Sequence, residues 1–584
     1  MRWMCCLVAC AVVVAFAPVW NCDFVNWDDS INLLENPAYR GLSAAHLRWM
    51  FTTFRGGHYQ PLSWVTLGFD YTLWGMQPRG YHLTNLLLHT ANALLVFALA
   101  RTLLRHAATP RAAEDSRLTF AAACAALVFA IHPLRVESVA WVTERRDVLS
   151  GFFLLLTVLA YVRMTDACRQ ERDAGGRWRV WYGVSLGTFI LSLLSKAWGM
   201  TLPLVLIVLD VYPLRRLTNW RALPRRLWVE KIPFIALAVG AMVLAGFTVH
   251  AGGQVQTLAE HGVLARTLQA AYGVMFYLAK TVVPVRLSPL YLLRPDFNPL
   301  APRYILCALG TVGITALLIV VRRQAPWALA AWVCYLATVS PVLGFLQSGP
   351  QLVADRYTYI ACVPWAVLAG AAIYTLPANH RHAGAVGAVV GLASLGVLTF
   401  RQTRVWTNGI TLWDHALSLD ASNYVAQVNR GWLQMHRGDG DGAITYYEEA
   451  LRLNPRFADA YRNRGFLRQM RNDVRGALDD YNRALEIDPT NAVTYFNRGL
   501  ARHTLGDADG AIADYSVAVT APVPNPQAYS NRAQLRRQRG DLAGAIDDYE
   551  KALRVAPPTW PERGNAEADL RATRAQAAAS PASH

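Results

Sequence analysis

The N-terminal stretch Arg2-Trp3-Met4-Cys5-Cys6-Leu7-Val8-Ala9-Cys10-Ala11-Val12-Val13-Val14-Ala15-Phe16-Ala17-Pro18-Val19-Trp20, followed shortly by Asn26-Trp27-Asp28-Asp29, decides how the rest of the chain is laid out. Ala15-Phe16-Ala17 has the small-x-small form of a signal-peptide cleavage site, but Pro18 directly after it opposes cleavage. Leu7-Val8-Ala9-Cys10 has the form of a lipoprotein box, with too little apolar sequence before it. The segment therefore reads as a retained first span over residues 3–20 with Arg2 inside. Asp28 and Asp29 then emerge at the membrane surface on the far side. Taken alone they would cap a short loop helix, Asp being a preferred N-cap residue. At a membrane surface they stand where an enzyme with a lipid-carried substrate would keep its acid and base.

Of the 584 residues, 54% are hydrophobic and 16% charged, which is too apolar for a soluble multidomain protein of ordinary make-up. The apolar residues fall in long runs up to about residue 400, and beyond it charged residues alternate with small and aromatic ones. The net charge of +16 is not a nucleic-acid signal, because much of the basic excess sits in short loops such as Arg215-Arg216, Arg225-Arg226 and Arg322-Arg323. Those are positive-inside topology marks. Of nine cysteines, Cys5, Cys6, Cys10, Cys124, Cys307, Cys334 and Cys362 lie inside apolar runs, and no metal-like spacing appears. Neither a disulfide framework nor a zinc site is expected.

Residues 21–80 form an outer loop rich in Trp, Tyr and Pro, with His58 among its polar groups. Spans are expected near 81–104, 118–132, 148–164, 180–195, 199–213, 232–250, 327–345, 358–377 and 383–400. The segment 264–284 is long enough to cross but carries Arg266 and Lys280. If it crossed, Arg322-Arg323 would lie outside, so it is expected to lie in the interface or re-enter. With one further crossing between residue 284 and Arg322-Arg323, which puts that pair inside, this gives eleven spans, with the acidic pair, Glu137, Asp147, Lys196 and Arg356 on the outer side.

Beyond residue 400 an interval of 34 residues recurs: Asn429-Arg430-Gly431, Asn463-Arg464-Gly465, Asn497-Arg498-Gly499 and Asn531-Arg532-Ala533, with Tyr447, Tyr481, Tyr515 and Tyr549 in step. That period with Gly, Tyr and Ala in these slots is the tetratricopeptide signature, a solenoid of helix pairs with a concave groove. The fold class is all-α. The expected domains are a multispan unit over 1–400, a connector with a partial repeat over 401–423 carrying Trp413 and Ala416, four repeats over 424–560, and a cap helix with a disordered tail over 561–584.

Charged groups at span ends are costly near lipid and often functional. Here Asp28, Asp29, Glu137 and Asp147 share one face with Arg145, Arg146, Lys196 and Arg356. Transfer from a lipid phosphate needs a base for the acceptor hydroxyl and cations for the departing phosphate. Each residue also has a plainer role open to it. His132 before Pro133 can cap a turn, Glu137 can pair with Arg135 or Arg145, the basic side chains can snorkel to headgroups, and Lys280 can serve an interfacial helix. In the repeats, Asn429, Asn463, Asn497 and Asn531 hold one slot, and a carboxamide both donates to and accepts from a peptide unit. Packing alone is the alternative for that slot.

The stretches Phe24-Val25-Asn26-Trp27-Asp28-Asp29, Tyr59-Gln60-Pro61-Leu62, Tyr81 to His89, His132 to Asp147, Ser195-Lys196 and Ala354-Asp355-Arg356-Tyr357-Thr358-Tyr359 resemble, in order along nearly the whole chain, the transmembrane and tetratricopeptide repeat-containing proteins, especially a bacterial branch. That resemblance implies a GT-C class glycosyltransferase fold, with a polyprenyl-phosphate-linked sugar, mannose by family, as donor and a protein hydroxyl as acceptor. It implies a catalytic base at Asp28 or Asp29, Glu137 orienting sugar or base, and the donor phosphate on Arg356, Lys196, Arg145 or Arg146. His58, His132, Asp147 and Lys280 are further candidates, and the asparagine slot is similar to the peptide-binding ladder of the soluble O-linked N-acetylglucosamine transferase. No cofactor is called for and a divalent metal is left open. The expected setting is a bacterial inner membrane, N-terminus cytoplasmic, site and repeats periplasmic, with membrane lipids and a protein acceptor as partners and no nucleic acid. A non-enzymatic scaffold for envelope assembly and a transferase acting on lipid A or surface polysaccharide are the alternatives.

Overall fold

The computed structural model describes residues 1–108, 116–170, 176–217, 225–251, 261–345, 349–521, 525–557 and 560–579. The chain divides into two compact units, Met1–Leu419 and Asp420–His584. Among the described residues, the regular structure of the first is helical apart from one short antiparallel pair, Tyr291–Leu292 with Gln351–Val353.

Among the described residues, five helices are long and apolar enough to cross a membrane: Pro78–Ala107, Val142–Arg169, Arg225–Thr248, Pro302–Val320 and Ala378–Val405. Two bent pairs raise the number to seven. Ser116–Ala130 meets Pro133–Ala140 at 56°, and Asp355–Ala361 meets Val363–Tyr374 at 58°. The chain is thus a membrane protein, but eleven uninterrupted crossings are not what the structure shows. The expected spans at 3–20, 199–213 and 327–345 are shorter helices, and prolines explain where two of them stop. Pro18 lacks an N–H and its ring crowds the preceding turn, so the first α-helix is Arg2–Ala15 and a 3₁₀ turn, Ala17–Asn21, follows. Fourteen residues rise about 21 Å, against a hydrocarbon core of roughly 30 Å. Pro341 lies in the 3₁₀ turn Ser340–Val342 that closes Pro326–Val339.

The ambiguous segment is the helix Val263–Val282, which is not among the helices apolar enough to cross. Its buried side, Ala270, Val274 and Tyr277, joins Trp332, Tyr335 and Val339 in one core. The expected boundary near 400 moves. Arg381–Val405 runs through it, and the connector helix Gly409–Leu419, with Trp413 and Ala416 fully buried, belongs to the first unit.

In the second unit the 34-residue period becomes helix pairs: Tyr424–His436 with Gly440–Leu453, Ala458–Met470 with Val474–Ile487, Ala492–Thr504 with Ala508–Ala518, and Pro526–Gln538 with Leu542–Val555. Asp439, Asp473, Asp507 and Asp541 cap the second helix of each pair. A Cβ on Gly431, Gly465 or Gly499 would stand 2.7, 3.0 or 2.7 Å from the ring of Tyr447, Tyr481 or Tyr515, which is why that slot takes the smallest residue. The closing helix Arg563–Ala579 is packed rather than frayed, with Ala566 and Leu570 against Tyr549 and Ala552. Residues 580–584, expected as a disordered tail, lie outside the described residues.

Candidate functional site

The acidic pair opens a short helical turn that runs on into the π-helix Ser30–Leu34. Consecutive helical side chains diverge by about 100°, and the two carboxylates take separate environments. Asp29 is 1% exposed. Its Oδ1 accepts from the Thr143 amide at 2.9 Å and the Thr143 hydroxyl at 2.6 Å, and its Oδ2 accepts from the Val25 amide at 3.1 Å. It ties the loop to residues 141–144. Burial, opposed by those hydrogen bonds, pushes its carboxyl up to about 7. Asp28 is half-buried and, among the described residues, makes no direct hydrogen bond or ion pair. Burial raises its carboxyl as well, against the pull of Arg146 and Arg356.

Glu144 is the hub opposite Asp28. The bend at Trp141 carries the chain through the turn Val142–Glu144 into the helix Arg145–Gln170, and so aims Glu144 inward. Arg146 grips it with two bonds, Nε to Oε2 at 3.0 Å and Nη2 to Oε1 at 2.6 Å. Lys196 reaches the same Oε2 at 3.0 Å and pairs with Asp147, and Arg356 Nε lies 3.4 Å from Oε1. Arg356 is held in turn by Glu137, through its guanidinium and through its backbone N–H at 2.9 Å. Ser138 Oγ donates to Asp147 at 2.9 Å. Six groups from distant parts of the chain, three cations and three carboxylates, thus form one network. Among the described residues, the second terminal nitrogens of Arg146 and Arg356 carry no hydrogen bond within it.

The structure therefore brings together Asp28, Glu137, Arg146, Asp147, Lys196 and Arg356. It does not bring Arg145, which points the other way, fully buried, with Nη2 2.6 Å from Asp70 and 2.8 Å from the Tyr81 carbonyl and Nε on Asn85. Arg145–Asp70 is thus an internal ion pair, turned away from the network that Arg146 and Asp147 join. His132 takes the plainer role too: its Nδ1 accepts from the Leu134 amide at 3.3 Å and its Nε2–H donates to the Thr281 carbonyl at 3.1 Å. Lys280 donates to the carbonyls of Val285 and Arg286 at 2.6 and 3.3 Å, closing its own helix. His58 lines a cavity of about 60 Å³ with Gln60, Arg146, Lys196 and Thr248. Desolvation and the charges of Arg146 and Lys196 push its imidazole down, although part of its surface remains open to solvent. Glu144 and Thr143 escaped the sequence reading, although Glu144 stands in the charged run Glu144-Arg145-Arg146-Asp147.

Beside the network lies a larger apolar cavity of about 510 Å³. Trp198 and Tyr357, the neighbours of the Lys196 and Arg356 segments, line it, and Leu99, Leu155, Leu202 and Val367 supply its walls. The Lys196 ammonium sits 3.9 Å above the centre of the Trp198 ring.

In the second unit the four asparagines are half-buried on the first helix of each repeat. Asn429 Nδ2 donates to the Val425 carbonyl at 2.9 Å, and Asn531 Oδ1 accepts from Gln527 at 3.1 Å. The arginine that follows has a packing role in three repeats: Arg464, Arg498 and Arg532 each make two bonds to Asp480, Asp514 and Asp548.

Comparison with known proteins agrees with both halves. Models of the TPR repeat match residues 433–470 and 471–506, and a tetratricopeptide repeat model matches 526–558. The chain is similar to protein O-mannosyl-transferase Tmtc3 of Drosophila melanogaster, 32% identical over 167 residues that cover 27% of this chain and 18% of the relative. Protein O-mannosyl-transferase F38B6.6 of Caenorhabditis elegans is 23% identical over 443 residues, 72% of this chain and 59% of the relative. The chain thus spans less than two thirds of the length of these relatives. Among solved structures, the crystal structure of MamA protein aligns with 28% of this chain and 85% of its own, at 23% identity and a TM-score of 0.23.

Proposed function

We propose, from the membership of this chain in the transmembrane and tetratricopeptide repeat-containing family of protein O-mannosyl-transferases, that it moves a sugar, mannose by family, from a polyprenyl-phosphate donor to a protein hydroxyl. The observation that carries the reading is the pairing of a cationic network with an apolar cavity of about 510 Å³ across Trp198 and Tyr357. A lipid phosphate has the same two parts, an anionic head and an apolar chain, and the cavity is of the size that holds a small ligand or a stretch of chain.

Asp28 takes the proton of the acceptor hydroxyl, whose oxygen then attacks the anomeric carbon. The bond from that carbon to the phosphate oxygen breaks, and the electron pair leaves on the polyprenyl phosphate with inversion at carbon. Arg146, Lys196 and Arg356 stabilise the departing charge. Glu137 and Glu144 hold those cations in place, which leaves Asp29 as the tie that fixes the loop. The repeats present the acceptor, with the asparagine slot of Asn429, Asn463, Asn497 and Asn531 bonding to its backbone. In this reading the N-terminus is cytoplasmic, the site and the repeats face the periplasm of a bacterial inner membrane, and no step calls for a cofactor.

Gene deletion complemented with wild type or with Asp28→Asn, read by mass spectrometry of hexose on envelope proteins, tests this. Hexose should disappear on deletion and return with wild type but not with Asp28→Asn. Unchanged glycoproteins beside altered lipid A or polysaccharide would overturn it.

A further inference from the structure

The acidic loop is sewn to the segment that follows the last long helix. Asp23 N–H donates to the Thr407 carbonyl at 2.8 Å, and Trp413 Nε1–H donates to Asn26 Oδ1 at 3.0 Å. The Trp27 ring lies 4.8 Å from that of Trp413 and 6.3 Å from that of Trp141. Trp141 stacks on Trp406 at 5.7 Å and 27°, and its other neighbour is the Arg356 guanidinium, 5.4 Å from the ring centre. Trp141, Trp406 and Trp413 are at most 2% exposed. Residues 406–413 thus touch both sides of the site, the carboxylate loop through Asn26 and Trp27 and the cations through Trp141.

A buried indole N–H usually finds an acceptor, and one on a loop next to a reacting group fixes that group as well as the indole. Plain core filling would have been served by Phe or Leu. The hydrogen bond goes instead to the second residue before Asp28, in a turn whose other end is tied by Asp29 to Thr143.

We propose that Trp413 is a positioning residue for the transfer reaction, holding Asp28 in its reactive geometry through Asn26 and Trp27, with Trp406 and Trp141 doing the same for Arg356. The inference rests on the assignment of Asp28 as the base. A catalytic group displaced by a fraction of an ångström loses rate rather than substrate affinity, so the signature is in kcat.

The test uses full-length protein in proteoliposomes, polyprenyl-phosphate mannose as donor and envelope proteins from the deletion strain as acceptor. Trp413→Phe keeps a ring and removes the donor; Asn26→Ala removes the acceptor. Each should lower kcat by about fivefold to twentyfold with donor KM unchanged. The double variant should fall well short of the product of the two single losses, because both remove the bond between Trp413 and Asn26. Melting temperatures taken alongside separate positioning from folding, since the rate loss should exceed any loss of folded protein. The inference is overturned if both single variants transfer at the wild-type rate, if their losses multiply, or if the loss lies in donor KM. An inactive Asp28→Asn beside a fully active Trp413→Phe removes this inference alone, whereas an active Asp28→Asn removes the base assignment and this inference together.

Discussion

Asp29→Asn separates the tie from the base. The asparagine Oδ1 can keep both bonds from Thr143, but its amide replaces the oxygen that accepts from Val25 at 3.1 Å. Two donors then face each other in a buried place, at a cost of about 1–3 kcal/mol. Against this, the variant no longer buries a charge. The wild-type carboxyl is raised from its ordinary 3.8 to about 7. The folded protein therefore holds this proton more tightly than the unfolded chain between those values, and the stabilisation is fully present below pH 3.8 and lost as pH rises through 7. At about 1.4 kcal/mol per pH unit the window is worth roughly 4 kcal/mol. Asp29→Asn does not titrate, so it should melt below wild type near pH 4.5 and close the gap, or pass wild type, near pH 8. Tryptophan-detected melting in detergent across that range reads the difference. Melting curves of the two proteins that shift in parallel with pH would refute the reasoning, because the carboxyl would then be charged in both states throughout.

Asp28→Asn should behave in the opposite sense, losing about 10²–10⁴ in kcat with a melting temperature within a few degrees of wild type, since the side chain makes no direct bond among the described residues. Arg145→Leu should cost about 3–5 kcal/mol of stability by stranding the buried Asp70, measured as a steep loss of folded protein, whereas Arg146→Leu should chiefly weaken polyprenyl-phosphate binding. Glu144→Gln leaves the network with one excess positive charge and should tighten binding of polyprenyl phosphate while lowering the transfer rate, read by binding titration beside the transfer assay. Asn463→Ala with Asn497→Ala should raise KM for a protein acceptor severalfold and leave kcat within about twofold, since each carboxamide contributes one neutral hydrogen bond.

The repeat half was legible because its signal is periodic: a slot that returns every 34 residues fixes helix length, turn and capping together, and Asp439, Asp473, Asp507 and Asp541 cap where that period puts them. The membrane half was legible as apolar runs but not as helix lengths. Apolarity says that a run is buried in lipid or protein, and Pro18, Pro133, Pro341 and Pro364 decide where it breaks. The site was half legible. A run such as Glu144-Arg145-Arg146-Asp147 announces charge, but which of four successive residues face one point depends on helical phase, and that put Arg145 on Asp70 and Glu144 among the cations. Trp413 looked like a repeat slot because it stands 34 residues before Tyr447, and its bond to Asn26 follows only from tertiary contact.

The charge balance of the network bears on why two aspartates stand side by side. Three cations, Arg146, Lys196 and Arg356, face three carboxylates, Glu137, Glu144 and Asp147, so the network is neutral before Asp28 is counted. A second free carboxylate beside Asp28 would share a proton with it, one of the two being raised strongly by the other's charge. Asp29 limits this by accepting three hydrogen bonds on the far side of the turn, although the charge of Asp28 still pushes its carboxyl upward. The burial that lifts it to about 7 also lets it carry a proton for part of the time, which further reduces the field at Asp28. The pair thus divides the work by direction: one carboxylate is committed to the fold so that its neighbour can meet the cations unbonded.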